Sequence, residues 1–283
     1  MAALTYGITG ANGFVGSRLV KELAKHGTVR ELTRHSHYKF TLGKPIDASI
    51  LKGVDVLVHC AWDFSPKDWR DIKRVNVESS LELFDAAREA AVRRVIFISS
   101  MSAFTGTKSK YGRAKLAVER RAVDHHPEVV SVRPGLVYDN EAGGVVGAMR
   151  GAMAKLPIVP LIGGSQKFYT CHAEDLAKAV LELSAGPLSE GPITAAEPVP
   201  RTFKEILATM AAVSGGKKPR FMPVPHQLAY AGLVVLETLH VPTKLRSDSI
   251  IGLVNNHPAP HFGGLQTRFR EFNGEAILGS SGD

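Results

Sequence analysis

The segment Thr9-Gly10-Ala11-Asn12-Gly13-Phe14-Val15-Gly16 follows a short apolar stretch, Leu4 to Ile8, and opens a helical one, Phe14 to Lys25. Three glycines so close together between a strand and a helix constrain the backbone more than any other feature of the chain. Gly10 permits a tight turn, Gly13 lets the main chain approach a ligand, and Gly16 lets the helix lie against the sheet. The free N–H groups and positive end of that helix make an anion site from backbone alone.

The alternation continues. Thr28 to Thr33 reads as a second strand, followed by an irregular polar stretch from His35 to Lys44. Val54 to Cys60 is apolar enough for a strand buried on both faces. Trp69 to Ala91 has apolar residues at helical spacing, Arg94 to Ser99 is a strand, Tyr111 to Val123 a helix, and Val129 to Arg133 a strand. Strands alternating with crossover helices predict an α/β fold, a doubly wound parallel sheet of Rossmann type. Residues 1–150 form its core, with 165–185 and 190–196 as segments that could complete the sheet. Beyond Gly147 prolines break the pattern, and 151–283 is expected to be a smaller C-terminal α/β lobe that binds substrate.

The chain has 283 residues, 44% hydrophobic and 22% charged, an ordinary globular balance. Its net charge of +8 lies mostly in the half that carries the glycine turn. That excess suits a phosphate-rich ligand, and a solvated basic surface explains it equally well. Basic residues are not interleaved with aromatics, so nucleic acid is not expected as a partner. Cys60 and Cys171 are isolated and offer neither a disulfide framework nor metal spacing, which points to a reducing cytoplasm. The start of the chain lacks the long apolar region of a signal peptide. The stretch Leu228 to Leu239 is too short to span a bilayer. It is expected as a buried helix, with a membrane-touching or substrate-lining helix as the alternative; otherwise no membrane partner is expected. The histidines, including His59, His172 and the His125-His126 pair, have no metal-ligand spacing, so no metal is expected. His59 and His172 are expected to be structural or to line the cofactor site, and His125-His126 to cap a helix before Pro127.

A strand–glycine turn–helix of this kind cradles the pyrophosphate of a dinucleotide. An acid at the end of the second strand would favour NAD. Here Thr33 stands in that place and Arg34 follows, and a guanidinium suits a 2′-phosphate. NADP(H) is therefore favoured, with NAD(H) as the alternative. Tyr111 and Lys115 are four apart and so neighbours on one helical face. A nearby ammonium favours the phenolate, moving a side chain of ordinary pKa near 10 toward a role in proton transfer.

With these residues the chain resembles the short-chain dehydrogenase/reductase superfamily, in particular its extended branch of sugar-nucleotide epimerases, dehydratases and reductases. The resemblance covers nearly the whole chain. It includes the glycine turn, Val58-His59-Cys60-Ala61, Asn76-Val77, Ser99-Ser100, Tyr111 with Lys115, Arg133-Pro134-Gly135 and His172-Ala173-Glu174-Asp175. It implies Tyr111 as acid–base, Lys115 as holder of the nicotinamide ribose, Ser100 as hydrogen-bond partner of the reacting oxygen, and Asn76 as support for a proton relay. Ser99 and Ser102 are alternatives to Ser100, and Ser102 is also a substrate candidate. The cofactor would be bound by Gly10, Asn12, Gly13, Phe14, Val15, Gly16, Thr33, Arg34, Asp47, Cys60, Ala61, Lys115 and Pro134, with Asp47 at the adenine. A homodimer through the helices of Asn76 and Tyr111 is also implied.

Dehydratases of this branch carry Thr-Asp-Glu where this chain has Ser100-Met101-Ser102, so dehydration is disfavoured. The expected activity is NAD(P)(H)-dependent reduction or oxidation of a carbonyl/alcohol, on a nucleotide-linked sugar of the 4-keto type. Lys244-Leu245-Arg246-Ser247-Asp248 is the candidate diphosphate site, with Arg246 its key residue. The alternatives are an NAD-dependent sugar-nucleotide epimerase, a reductase of hydrophobic ketones, and a non-catalytic dinucleotide sensor.

Overall fold

The computed structural model describes residues 3–126, 128–140, 146–147, 149, 151, 157–186, 191–213, 219–239, 241, 245–257 and 260–278. In chain order the core comprises β1 (Leu4–Thr9), α1 (Phe14–Leu23), β2 (Gly27–Thr33), β3 (Tyr38–Lys39), a 3-10 turn (Ala48–Leu51), β4 (Val56–His59), α2 (Trp69–Ile72), a π-helical segment (Lys73–Glu78), α3 (Ser79–Glu89), β5 (Arg94–Ile98), α4 (Lys110–His125) and β6 (Val129–Pro134). There follow β7 (Leu136–Tyr138), β8 (Ile158–Ile162), β9 (Lys167–Phe168), β10 (Thr170–His172), α5 (Ala173–Ala185), β11 (Ile193–Ala195), β12 (Arg201–Thr202), α6 (Phe203–Val213), β13 (Arg220–Val224), α7 (His226–Thr238), α8 (Ser247–Val254) and α9 (Gly274–Leu278).

The main sheet has seven strands in the order β11-β6-β5-β4-β1-β2-β3, every neighbouring pair parallel. It is the doubly wound order with a seventh strand at the β6 edge. Both faces are apolar because both are covered. On β4, Leu57 joins Phe84, Phe97 and Val118 under α3 and α4. Its neighbours Val56 and Val58 join Leu19, Ile96, Val132, Leu176 and Val180 under α1 and α5. That period-two division fills two cores from one uninterrupted apolar run.

The seventh strand lies at residues 193–195, whereas β10, within 165–185, pairs with β7 outside the main sheet. The polar stretch after Arg34 contributes β3, which extends the β2 edge. The Trp69 to Ala91 helix contains the π-helical segment at 73–78. A smaller core of the C-terminal lobe gathers Tyr138, Leu161, Phe203, Met210 and Phe272. There the tail is clamped: Arg270 pairs with Asp175 and Glu174 at the start of α5.

One expectation is overturned. The apolar stretch 228–239 forms α7, but no residue of that helix is buried. Leu228 is 68% exposed and Leu239 67%. Hydrophobicity made the segment a good helix for burial, but among the described residues its one extensive packing partner is α8.

Candidate active site

The site forms at the carboxyl ends of β1, β2, β4 and β5, where a doubly wound sheet opens toward ligands. At the end of β1, Gly10 takes φ +65°, and a Cβ there would come within 2.8 Å of the Ala61 backbone. A Cβ on Gly16 would lie 2.1 Å from the Gly10 carbonyl. These glycines are therefore required by the close approach of turn, helix and β4 loop. Gly13 donates to Gly10 at 2.8 Å and is the N-cap of α1, where no side chain caps the helix and the first turn has no acid. Asn12, Phe14 and Val15 complete the turn. Its cradle and the open helix end fit a dinucleotide pyrophosphate.

Thr33 closes β2, and its hydroxyl accepts the N–H groups of His35 and Ser36 at 3.3 and 3.0 Å. Arg34 follows on the exposed rim, a placement compatible with a 2′-phosphate. Asp47 is exposed and accepts the Ser49 N–H as cap of the 3-10 turn, which holds its carboxyl below the ordinary value.

A buried hydrogen-bond chain ties this turn to the rest of the site. Cys60 and Ala61 donate their N–H groups to Thr9 Oγ1 at 3.1 and 3.2 Å. Thr9 Oγ1 lies 2.7 Å from His59 Nδ1, and His59 Nε2 lies 2.9 Å from Ser80 Oγ. Ser80 in turn donates to the Asn76 carbonyl at 2.6 Å. With the Ser80 proton committed there, Nε2 carries the imidazole proton and Nδ1 accepts from Thr9. Burial, followed by the charge of Lys115, pulls His59 down to about 3, so the ring is neutral. His59 is thus a structural connector.

Asn76 uses its whole amide on one residue. Its oxygen accepts the Asp63 N–H at 2.7 Å and its nitrogen donates to the Asp63 carbonyl at 2.9 Å. That clamp shapes the Cys60–Lys67 loop. From this loop Trp62 meets the Tyr111 ring edge-on at 5.8 Å and Phe64 stacks on it at 5.6 Å. Neither aromatic was singled out from the sequence. The only available signal was their place immediately after the Ala61 match.

Helix α4 presents Tyr111, Lys115 and Glu119 on one face. Its N-terminus is capped by Ser109, which accepts the Gly112 N–H at 3.0 Å, and by Asp248 from α8. Gly112 is needed here, since a Cβ would fall 2.2 Å from the Ser102 carbonyl. The three serines take different tasks. Ser99 donates to Glu119, which also binds Arg133 through both carboxylate oxygens. Ser100 hydrogen-bonds the Tyr111 hydroxyl. Ser102 donates its N–H to Ser100 Oγ at 3.1 Å, positioning that hydroxyl.

Lys115, one turn further along α4, is buried. Its ammonium donates to the Ile98 carbonyl at 2.7 Å and lies 3.9 Å from the Trp62 ring centroid. Burial pulls it down to about 7, against the opposing influence of Cys60 and Glu119. Tyr111 departs from the sequence expectation: burial raises its pKa, only partly offset by the Ser100 hydrogen bond. Desolvation of both side chains outweighs the helical neighbour rule. The phenol is therefore neutral near pH 7. Burial also pushes the Cys60 thiol up to about 12. Pro134 ends β6 opposite Ala195.

Arg246 does not stand open to a diphosphate. It donates to the carbonyls of Phe64 at 2.6 Å and Pro66 at 3.2 Å, fastening the aromatic loop to the lobe. Lys244 lies outside the described residues, as do Pro127 and part of the lobe. His126 is the C-cap of α4, and His172 caps α5 by accepting the Glu174 N–H at 3.3 Å.

Residues 7–191 match the family described as NAD dependent epimerase/dehydratase. The chain is similar to a ceramide reductase of Caulobacter vibrioides, 29% identical over 235 residues, covering 77% of this chain and 73% of that protein. It is 32% identical over 168 residues to a UDP-glucose 4-epimerase of Vibrio cholerae, covering 46% of this chain and 51% of the epimerase. It also spans 23% of the length of longer relatives. Among solved structures, that of gox2253 superposes with a TM-score of 0.71 at 19% identity, over 98% of this chain and 96% of the other.

Proposed function

The chain belongs to the NAD dependent epimerase/dehydratase family, and from that premise we propose that it uses NADPH to reduce the carbonyl of an apolar ketone, with Tyr111 as proton donor. The observation that carries this reading is the state of Tyr111: a phenol kept protonated by burial, hydrogen-bonded to Ser100 and framed by Trp62 and Phe64. A protonated acid in apolar surroundings suits reduction, in which the new alkoxide must receive a proton.

In this reading the glycine turn and the first N–H groups of α1 hold the pyrophosphate, and Arg34 faces the 2′-phosphate. Lys115 binds the nicotinamide ribose. The nicotinamide, when bound, supplies hydride to the carbonyl carbon. Ser100 donates a hydrogen bond to the carbonyl oxygen, and Tyr111 delivers its proton to the same atom. The Lys115 ammonium favours that transfer by stabilising the phenolate left behind. Asn76 acts through the Asp63 clamp, keeping the aromatic loop over the tyrosine.

The apolar substrate is preferred because Arg246, the best diphosphate candidate, is spent on backbone carbonyls. The similarity to a ceramide reductase supports the same choice. A second reading, a nucleotide-linked sugar, is favoured by the similarity to a UDP-glucose 4-epimerase. The test is NADPH consumption with a long-chain ketone, with and without excess UDP. The expected result is turnover indifferent to UDP and lost in Tyr111→Phe with NADPH binding retained. Inhibition by UDP would select the sugar reading, and full activity of Tyr111→Phe would remove the tyrosine from the mechanism.

A further inference from the structure

Helix α7 is built the wrong way round for a soluble surface. Its half-buried side, Ala229, Leu233, Val234 and Glu237, is turned toward its own lobe. The outward side carries Leu228, Tyr230, Val235, Leu236 and Leu239, between 36% and 68% exposed. Glu237 is the one charged residue between Gln227 and Leu239, and its carboxylate is turned to Ser247, accepting both N–H and Oγ–H at 2.8 and 2.7 Å. The exposed face therefore has no charge. A solvated helix ordinarily shows the reverse arrangement.

The charge lies at the two ends. From Gly215 to Ser247 the sequence has Lys217, Lys218 and Arg220 before the helix and Lys244 after it, with Glu237 the lone acid; Arg246, whose guanidinium holds the Phe64 and Pro66 carbonyls, is not counted among the flanking charges. Lys217, Lys218 and Lys244 lie outside the described residues and enter only as sequence charge. An apolar helix with cationic flanks matches the interface of a bilayer that has anionic headgroups. No helix among the described residues is long and apolar enough to cross a membrane, so α7 would lie along the surface. A second copy is a poorer match. In a twofold contact through this face, each basic flank would meet a basic flank of the partner.

We propose that α7 docks the protein onto an anionic lipid bilayer, its outward apolar face in the headgroup boundary, with the basic residues that flank it in sequence supplying the attraction to lipid phosphates. The docking surface adjoins the candidate active site. Glu237 holds Ser247, the next residue before it, Arg246, holds the Phe64 carbonyl, and Phe64 stacks on Tyr111. Phe64 is itself 65% exposed. An apolar ketone in the bilayer would then have a short route to the tyrosine, although docking itself needs no chemistry.

The test is flotation of the full chain with phosphatidylcholine vesicles, with and without phosphatidylglycerol, at physiological salt. Co-flotation with the anionic vesicles is expected, and at least about tenfold less with neutral ones. Leu228→Ser, Val235→Ser and Leu239→Ser combined should abolish flotation while circular dichroism and NADPH affinity stay unchanged. These side chains are exposed, so the fold does not depend on them. A separate Arg220→Glu variant should weaken flotation without touching the apolar face. Failure of the wild-type chain to float with anionic vesicles would overturn the proposal. So would equal flotation of the triple variant, or a wild-type dimer that the triple variant converts to monomer without any vesicle binding. Flotation reads no turnover, so its failure and a failure of ketone reduction are distinguishable.

Discussion

The Asp248 carboxylate accepts the backbone N–H groups of Lys110 and Tyr111 at 2.7 and 3.2 Å, across 137 residues of sequence from the tyrosine. A residue of the C-terminal lobe thereby fixes the start of the helix that carries Tyr111, the proposed proton donor. It also satisfies N–H groups that α4 cannot satisfy itself. Asp248→Ala should cost about 1 kcal/mol of stability, as loss of a helix cap does. It should lower kcat by about ten- to a hundredfold through misplacement of the phenol. NADPH affinity should hold, because the glycine turn is not involved. Urea unfolding, steady-state kinetics and cofactor titration check the three parts separately.

Lys115 gives a pH signature. Its ammonium is pulled down to about 7 in the folded protein, so kcat/KM for reduction should fall as pH rises through about 7 and the charge is lost. Lys115→Arg should move that fall out of the neutral range, because guanidinium stays protonated. Stability moves the other way. The unfolded chain keeps this proton up to about pH 10.4, so it binds more protons than the folded chain between about 7 and 10. Unfolding free energy from this group therefore rises across that window. Lys115→Met should remove the rise, as measured by urea midpoints at successive pH values.

Cofactor choice should reside at the end of β2. Arg34→Ala should weaken NADPH binding by about tenfold or more, the worth of a charge-assisted phosphate contact, and leave NADH binding unchanged. Thr33→Asp should add affinity for NADH. A carboxylate there can still accept the His35 and Ser36 N–H groups that Thr33 now holds, so the turn survives the exchange. Fluorescence titration with both nucleotides measures the switch.

The tail clamp should respond to acid. Burial opposes ionisation of Asp175, but hydrogen bonds from Arg270 outweigh it and hold the carboxyl below its ordinary value. The stabilisation is present above about pH 4, the unfolded range, and is lost as pH falls through the lower native value. Arg270→Ala should cost about 2–4 kcal/mol at pH 7, since it strands a carboxylate that is 2% exposed. In that variant the guanidinium is gone and only the backbone N–H at position 270 and Lys178 still oppose burial, so the Asp175 pKa moves up and the deficit should shrink as pH drops below about 4. Denaturation curves at pH 7 and in acid decide it.

What could be read from the sequence was what local spacing encodes. The glycine turn, the strand–helix alternation and the four-residue step from Tyr111 to Lys115 all have short-range rules. The three candidate serines could not be separated, because their tasks depend on what α4 brings within reach: Glu119 for Ser99 and Tyr111 for Ser100. The Asn76 clamp on Asp63 and the Asp248 cap join segments whose approach no spacing rule predicts. Tyr111 was misjudged electrostatically because proximity to an ammonium is legible in a sequence and the depth of burial is not. Helix α7 was misjudged for a related reason. Apolar content says that a segment prefers to leave water, without saying that its own chain provides anywhere to go.

The seventh strand has a consequence during synthesis. β6 ends at Pro134, yet its partner β11 spans Ile193–Ala195. Until the ribosome has delivered that later segment, the Val132–Pro134 end of β6 has no strand beside it, an open edge that can pair with another nascent chain. Pauses in translation between these two strands would lengthen that exposure. Slow decoding of this interval should therefore lower the yield of folded protein without changing a single amino acid.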